Sequence, residues 1–182
     1  MTVTHRQLKI TARNTSFLAS RVAMILLMGL LNGTVFWQVD PKQVQIVSGV
    51  LFQTALILAL GQFAQIPTFF AARNIFYKQR GANFYRTSSY VFAFSVCQFP
   101  LAVAETLVFG SMVYWMCGFV SSFGAFVIFE LLLLLLMMAF TALFFFFTCA
   151  TPNINVAQPI GMVVLTFIIL YGGFAISKKE MP

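Results

Sequence analysis

Charged residues are scarce in this chain of 182 residues: 8% are Asp, Glu, Lys or Arg, whereas 60% are apolar. A typical soluble domain is roughly 45–50% apolar and about 25% charged. A domain of this size leaves about a third of its unfolded surface exposed, and eleven cations with four acidic residues cannot cover that surface. This scarcity excludes a soluble enzyme, a disordered tail and a disulfide-stapled secreted domain. It predicts an integral membrane protein.

Residues that carry chemistry are also few. The chain has one histidine, His5, and three cysteines, Cys97, Cys117 and Cys149, which form no CxxC pair. It contains no P-loop pattern, no HExxH and no Ser/His/Asp constellation. The sequence therefore offers no catalytic residues and no metal site, and the cysteines are interpreted as small apolar filler.

Long uncharged runs separate the few charges. No charge lies between residues 21 and 40 or between residues 42 and 73, and the stretch from 88 to 176 holds only Glu105 and Glu130. A transmembrane helix needs about 20 predominantly apolar residues. These runs predict five transmembrane helices, near residues 17–37, 44–70, 88–117, 123–149 and 156–176.

The uninterrupted runs favour helices over a transmembrane β-barrel. Barrel strands alternate apolar and polar residues, whereas Leu131–Met138 is apolar throughout. The predicted fold class is all-α: a polytopic membrane helix bundle of about five transmembrane helices, preceded by an interfacial amphipathic helix over residues 1–16. A frayed basic tail is the alternative for that first segment.

Basic residues are unevenly distributed along the chain. Eight of the eleven Lys and Arg residues lie at or before the start of the first predicted span, or between the second and third spans. Because cytoplasmic flanks are rich in these residues, the pattern predicts a multi-pass protein with a cytoplasmic N-terminus, and we expect it in the plasma membrane. The net charge of +7 is interpreted as a topology signal that also favours anionic lipid headgroups, and not as a sign of nucleic-acid binding.

Four cations are interleaved with four aromatic residues in the segment 73–86. One interpretation is a cytoplasmic anchor whose rings lie in the membrane interface. The other is a docking element, in which the rings fill a groove on a partner and the arginines pair with acidic residues. Composition alone does not distinguish the two.

Glu105 and Glu130 are the intramembrane carboxylates of the predicted bundle. Such groups are costly in a bilayer and usually face protein or a water-filled cavity. A proton-coupling pair, a ligand site and two neutral carboxyls are the functional interpretations, and a proton-linked carrier or channel is the hypothesis built on them. The alternative is a polar link between helices or a carboxyl that reaches the headgroups.

Four segments in order along nearly the whole chain carry a family resemblance. They are Ala12–Asn14 with Leu31–Trp37, Asn74–Arg80 with Tyr85 and Tyr90, Gln98–Pro100 with Val113–Phe119, and Gly173–Pro182. Together they resemble the membrane domain of G-type ABC transporters, specifically the pleiotropic drug resistance group of plants, fungi and oomycetes. The run Asn-Ile-Phe-Tyr-Lys-Gln-Arg is similar to that family's x-V-F-Y-R-E-R loop.

The chain departs from the family pattern in two residues and in its extent. Ala72 and Gln79 stand where the family has glutamates, and the first of these glutamates is thought to contribute to coupling. The family continues beyond the position of Pro182 into an outer loop and a sixth helix, and a nucleotide-binding domain is expected outside residues 1–182. The resemblance therefore predicts a truncated ABC membrane domain over residues 17–182.

The resemblance implies roles for two segments. Residues 1–16 would be the connecting helix from an ATPase domain, and the segment 73–86 would be the coupling helix that docks on that domain. ATP and Mg²⁺ would be bound by the nucleotide-binding domain, in the same full-length chain or in a partner, and no cofactor by this chain. The implied coupling residues are Arg73, Phe76, Tyr77, Lys78, Arg80, Tyr85 and Arg86.

The resemblance also implies a substrate cavity, because the second and fifth spans line it in this family. By position, the implied cavity residues are Phe52, Ala55, Leu56, Ala59, Leu60, Thr166, Phe167 and Leu170. Ordinary helix packing is the alternative for each of them.

The predicted function is the membrane-spanning part of an ATP-driven exporter of hydrophobic or amphipathic compounds. Its expected partners are the lipid bilayer, a nucleotide-binding domain, a second membrane domain and the hydrophobic substrate. A truncated, non-transporting membrane subunit that assembles with a related transporter is the alternative.

Overall fold

The computed structural model describes residues 15–39, 44–82 and 87–171, and the single positions His5, Lys9 and Arg13. Within these ranges the regular structure is helical, which confirms the predicted all-α class. The helices are α1 (Thr15–Val35), α2 (Val44–Phe63), α3 (Ile66–Gly81), α4 (Thr87–Met116), α5 (Phe123–Ala150) and α6 (Ile154–Tyr171).

Five segments of the described chain are long and apolar enough to cross a bilayer, as predicted from the uncharged runs. Four of them are α1, α4, α5 and α6, and the fifth is α2 with α3, over Val44–Gly81. The fifth predicted span extends to residue 176, and its last five residues lie outside the described ranges.

The second span is interrupted, whereas the sequence predicted one continuous span over residues 44–70. Helix α2 ends at Phe63, and α3 begins at Ile66. Pro67 lies in the first turn of α3, where it has no N–H to donate to the carbonyl of Phe63 and its ring disfavours a continuous helix. The chain forms a tight turn instead, in which the N–H of Gln65 donates to the carbonyl of Gln62 at 3.0 Å.

Helix α5 is central to the bundle. It contacts α2, α3, α4 and α6, whereas α1 packs mainly against α4. One apolar cluster includes Phe69, Phe94 and Phe144, and a second includes Phe109 and Val113. Burial of these large side chains stabilises each helix contact by close packing, which is the main source of helix association in lipid.

The two ends of the bundle differ in charge. The end of α3 carries Lys78 and Arg80 and lies beside the end of α5, and we call this side the basic end. At the opposite end α1 meets α4, because the N–H groups of Gln38 and Val39 donate to carbonyls at the end of α4 at 3.1 and 3.0 Å. These contacts place the C-terminal ends of α1 and α4 at the same end of the bundle.

Two small residues let α1 approach α4 closely. Gly29 and Gly33 form a GxxxG pair on α1, a spacing that allows close contact between helix backbones in membranes. A Cβ atom at Gly29 would lie 3.3 Å from the sulfur of Met112, and one at Gly33 would lie 2.9 Å from Cβ of Met116. A larger side chain at Gly33 would therefore push the helices apart.

We predict that Gly33→Leu lowers the free energy of unfolding by about 1–3 kcal/mol, the usual cost of overpacking. The measurement is detergent-induced unfolding of the purified protein in mixed micelles. Gly124→Leu is the matched control, because a side chain at Gly124 meets nothing within 4 Å. Equal unfolding midpoints for the two variants would contradict this account of the α1–α4 contact.

Candidate functional site

A buried ion pair joins α1 to α4. The guanidinium of Arg21 contacts both carboxylate oxygens of Glu105 and also donates to Oε1 of Gln65. The Arg21 and Glu105 side chains are only 13% and 5% exposed. Glu105 lies eleven residues before the end of α4 at Met116, about 16 Å along the axis. Arg21 lies within the apolar segment Phe17–Val35 and Glu105 within Thr87–Met116, so the pair lies inside the apolar part of the bundle.

The ion pair extends into a chain of hydrogen bonds across the bundle. Nε2 of Gln65 donates to Oε1 of Gln62, and Oγ1 of Thr141 on α5 lies 3.0 Å from the same oxygen. All four of Gln62, Gln65, Glu105 and Thr141 are buried. The network therefore connects α1, α4 and α5 at the break between α2 and α3.

Sequence reasoning placed Arg21 with the cytoplasmic flank and did not assign it a partner. The position of Arg21 in the sequence could have indicated a partner. It is the seventh residue of an apolar helix, and an arginine there needs an acidic partner in the membrane. Glu105 is one of only two acidic residues in the described part of the chain. Which of the two would pair with Arg21 depends on how α1 packs against α4.

The structure places Glu130 apart from Glu105. Glu130 lies on α5, is 8% exposed, and its carboxyl oxygens have no hydrogen-bond partner among the described residues. A Cβ atom at Gly110 of α4 would collide with this carboxyl group. Gly110 therefore provides the space that the Glu130 carboxyl group occupies. The two glutamates thus differ in role, because Glu105 links α1 to α4 through its ion pair.

Arg73 at the basic end is held inside the protein. Its guanidinium donates to the carbonyls of Thr148, Thr151 and Pro152 at 2.5, 2.6 and 2.8 Å, and lies 4.3 Å from the ring centroid of Phe70. These carbonyls belong to the end of α5, where unpaired C=O groups favour a cation. Arg73 thus fixes α3 to the end of α5.

The other implied coupling residues divide into buried and exposed ones. Phe76 is buried and stacks on Tyr90 of α4, with ring centroids 4.3 Å apart. Tyr77 is 50% exposed, and Lys78 and Arg80 are also exposed. Tyr85 and Arg86 lie outside the described residues. The accessible surface toward the end of α3 therefore includes an aromatic ring, two cations and the apolar side chain of Ile75, which is 57% exposed.

The implied substrate-cavity residues lie on neighbouring helices, since α2 contacts α6. Ala59 is buried, and Phe52, Ala55 and Leu56 are half-buried. The others are exposed on the outside of the chain; they are Leu60, Thr166, Phe167 and Leu170. These exposed side chains form an apolar outer face of the α2–α6 pair, with Thr166 as its one hydroxyl-bearing member.

A cavity of about 50 Å³ lies beside the ion pair, between α1, α2, α4 and α5. Its polar wall is formed by Arg21, Gln62 and Glu105, and its apolar wall includes Met28, Phe109 and Met137. The eight residues implied by the resemblance do not line this cavity.

Five apolar spans, a buried ion pair and a basic end define a polytopic helical membrane protein. Residues 1–182 match the ABC-2 type transporter family, and the chain belongs to that family. This membership confirms the ABC transporter membrane domain that the sequence motifs indicated.

Relatives with this membrane domain are named as ABC transporters of the G family. The chain is 30% and 32% identical to ABC transporter G family members 5 and 6 of Dictyostelium discoideum, over 172 and 171 residues. It is 28% identical over 184 residues to ABC transporter G family member 16 of Arabidopsis thaliana. These alignments cover 93%, 93% and 100% of this chain, but 11%, 11% and 25% of the relatives. The chain thus spans between a tenth and a quarter of the length of these proteins.

We predict that Arg73→Met loosens the end of α5, because several buried carbonyls lose donors and each charge-assisted hydrogen bond contributes about 1.5–3 kcal/mol. Hydrogen exchange at the N–H of Thr151, which donates to Phe147, should become at least roughly tenfold faster. Arg80→Met, on the exposed side of the same helix, is the control. Unchanged exchange in Arg73→Met would show that the arginine does not hold α5.

Proposed function

We propose that this chain is the membrane-spanning part of an ATP-driven exporter of hydrophobic or amphipathic compounds, of the pleiotropic drug resistance type. The observation that carries the proposal is the end of α3. Tyr77, Lys78 and Arg80 are exposed there, next to the buried side chains of Arg73 and Phe76. Membership of the ABC-2 family supports transport as the general activity.

The exposed end of α3 would dock on a nucleotide-binding domain, which would also bind ATP and Mg²⁺. Helix α3 contains no acidic residue, and Ala72 and Gln79 stand where the family pattern has glutamates. The described part of this docking surface therefore carries cations, the aromatic ring of Tyr77 and the aliphatic side chain of Ile75, but no carboxylate. It fits an acidic groove on the ATPase domain, in which Tyr77 supplies apolar contact and Arg80 an ion pair.

Movement of α3 would be transmitted to the bundle by two contacts. Arg73 ties α3 to the end of α5, and Phe76 stacks on Tyr90 at the start of α4. The break at Ala64–Gln65 separates α3 from α2, so that α3 can tilt without carrying α2 with it. Such a break suits a helix that must move relative to its neighbour on the same span.

The outer face of α2 and α6 would receive a second membrane domain, with the substrate between the two domains. Leu60, Phe167 and Leu170 are 39%, 55% and 46% exposed there, and their apolar side chains suit hydrophobic compounds. The basic end would lie in the cytoplasm, in agreement with the positive-inside rule. Residues 1–16 would connect α1 to the ATPase domain, and the plasma membrane is the proposed location.

We predict that Tyr77→Ala combined with Arg80→Ala, in the full-length transporter, uncouples ATP hydrolysis from export. Tyrosine and arginine anchors typically contribute 2 kcal/mol or more at an interface, so substrate stimulation of the ATPase should fall roughly tenfold or more. The basal ATPase rate should persist, because the variant leaves the nucleotide-binding domain intact. The measurements are ATPase activity and substrate uptake into inside-out vesicles.

Trp115→Ala is the matched control, because Trp115 is 65% exposed at the opposite end of the bundle. It should retain coupled transport. If the double variant kept full substrate stimulation and uptake, the end of α3 would be a membrane anchor only, and the proposed docking role would be wrong.

A further inference from the structure

The amide groups beside the ion pair have fixed orientations. A guanidinium carries only donors, so the oxygen of the Gln65 amide must face Arg21 and its Nε2 must face Gln62. Oε1 of Gln62 therefore faces Gln65 and Thr141, and Nε2 of Gln62 points away from both. This side-chain nitrogen donates to no acceptor in the described part of the chain.

An amide with two unused donors needs an acceptor when it is buried. Gln62 is 3% exposed as a whole, so its free N–H groups have little access to solvent except through the cavity that the residue lines, and a donor left without an acceptor there is unfavourable. Gln62 lines the cavity of about 50 Å³, together with Arg21 and Glu105. A water-sized group occupies roughly 10–15 Å³ by the same kind of measure, so the cavity has room for about three to five such groups.

The charges on the wall restrict what the cavity can hold. Arg21 and Glu105 neutralise each other, so a further cation or anion would be an unpaired charge in a membrane interior. A hydroxyl oxygen has no such cost, because it can accept from Gln62 and donate to a free lone pair of the Glu105 carboxylate. Met28, Phe109 and Met137 supply an apolar wall for a short carbon chain.

We propose that this cavity is a binding site for a neutral hydroxyl oxygen, supplied by water or by the hydroxyl end of a small amphipathic molecule. The site lies within a single membrane domain and is separate from the outer face of α2 and α6. Its occupancy does not depend on ATP hydrolysis, so it can be tested independently of the exporter proposal.

The test is hydroxyl-radical footprinting of the intact protein in lipid nanodiscs, since radicals formed from a bound water oxidise the nearest methionine. Met137 lines the cavity and is 2% exposed, whereas its neighbour Met138 is more exposed and does not line it. We expect Met137 to be oxidised several-fold faster than Met138. Oxidation of Met137 that is equal to or slower than that of Met138 would mean that the cavity is dry and would overturn the proposal.

Two variants test whether the excess oxidation of Met137 arises at this site. Gln62→Leu removes the free donors, and Gly61→Leu adds an apolar side chain at a residue that lines the cavity, with no atom within 4 Å of the new Cβ. Both should abolish the excess oxidation of Met137. If it persisted in Gly61→Leu, or in a folded Gln62→Leu protein, the bound oxygen would not be at the proposed site.

Short alcohols distinguish the two sources of the hydroxyl group. 1-Propanol is unbranched, whereas tert-butanol is branched at its hydroxyl-bearing carbon. Because tert-butanol lacks an α-C–H and scavenges radicals more slowly, the two alcohols are compared at concentrations that give equal bulk scavenging. If 1-propanol lowers the Met137 to Met138 ratio and tert-butanol does not, the site accepts the hydroxyl end of an amphipathic molecule. If neither alcohol changes a high ratio, water is the occupant.

Discussion

The ion pair between Arg21 and Glu105 is the interaction on which the arrangement of this bundle depends. A lone charge within a membrane-spanning helix is costly, so each side chain requires the other. Because the two residues lie on α1 and α4, satisfying this requirement fixes the depth of α1 along α4. Gly29 and Gly33 then allow the close approach of the two helices further along the same interface. The guanidinium also orients the amides of Gln65 and Gln62, and through them reaches Thr141 of α5.

Arg21 and Arg73 thus join the helices at two different places in the bundle. Arg21 acts within an apolar span, where it needs a carboxylate, whereas Arg73 acts at the end of α5, where unpaired backbone carbonyls suffice. Between them lies the break at Ala64–Gln65, which separates α2 from α3. In the proposed exporter, this arrangement keeps the interior of the bundle fixed while the exposed end of α3 contacts an ATPase domain.

The five spans could be predicted from the sequence because charge-free length is a local property. The family motifs also indicated the ABC-2 family correctly. The break in the second span was not predicted, since the uncharged run over residues 44–70 gives no sign of where a helix within it ends. The partners of Arg21 and Arg73 could not be predicted, because both depend on packing between residues more than seventy positions apart. The roles of the coupling and cavity residues remain predictions.

A double-mutant cycle on Arg21 and Glu105 tests the central claim most directly. The free energy of unfolding in mixed micelles would be measured for Arg21→Met, Glu105→Met and the double variant. Each single variant should lose about 3–5 kcal/mol, because it leaves a buried unpaired charge, whereas the double variant should recover most of that loss. Strictly additive losses would contradict the account, since they would mean that the two charges do not interact in the folded bundle.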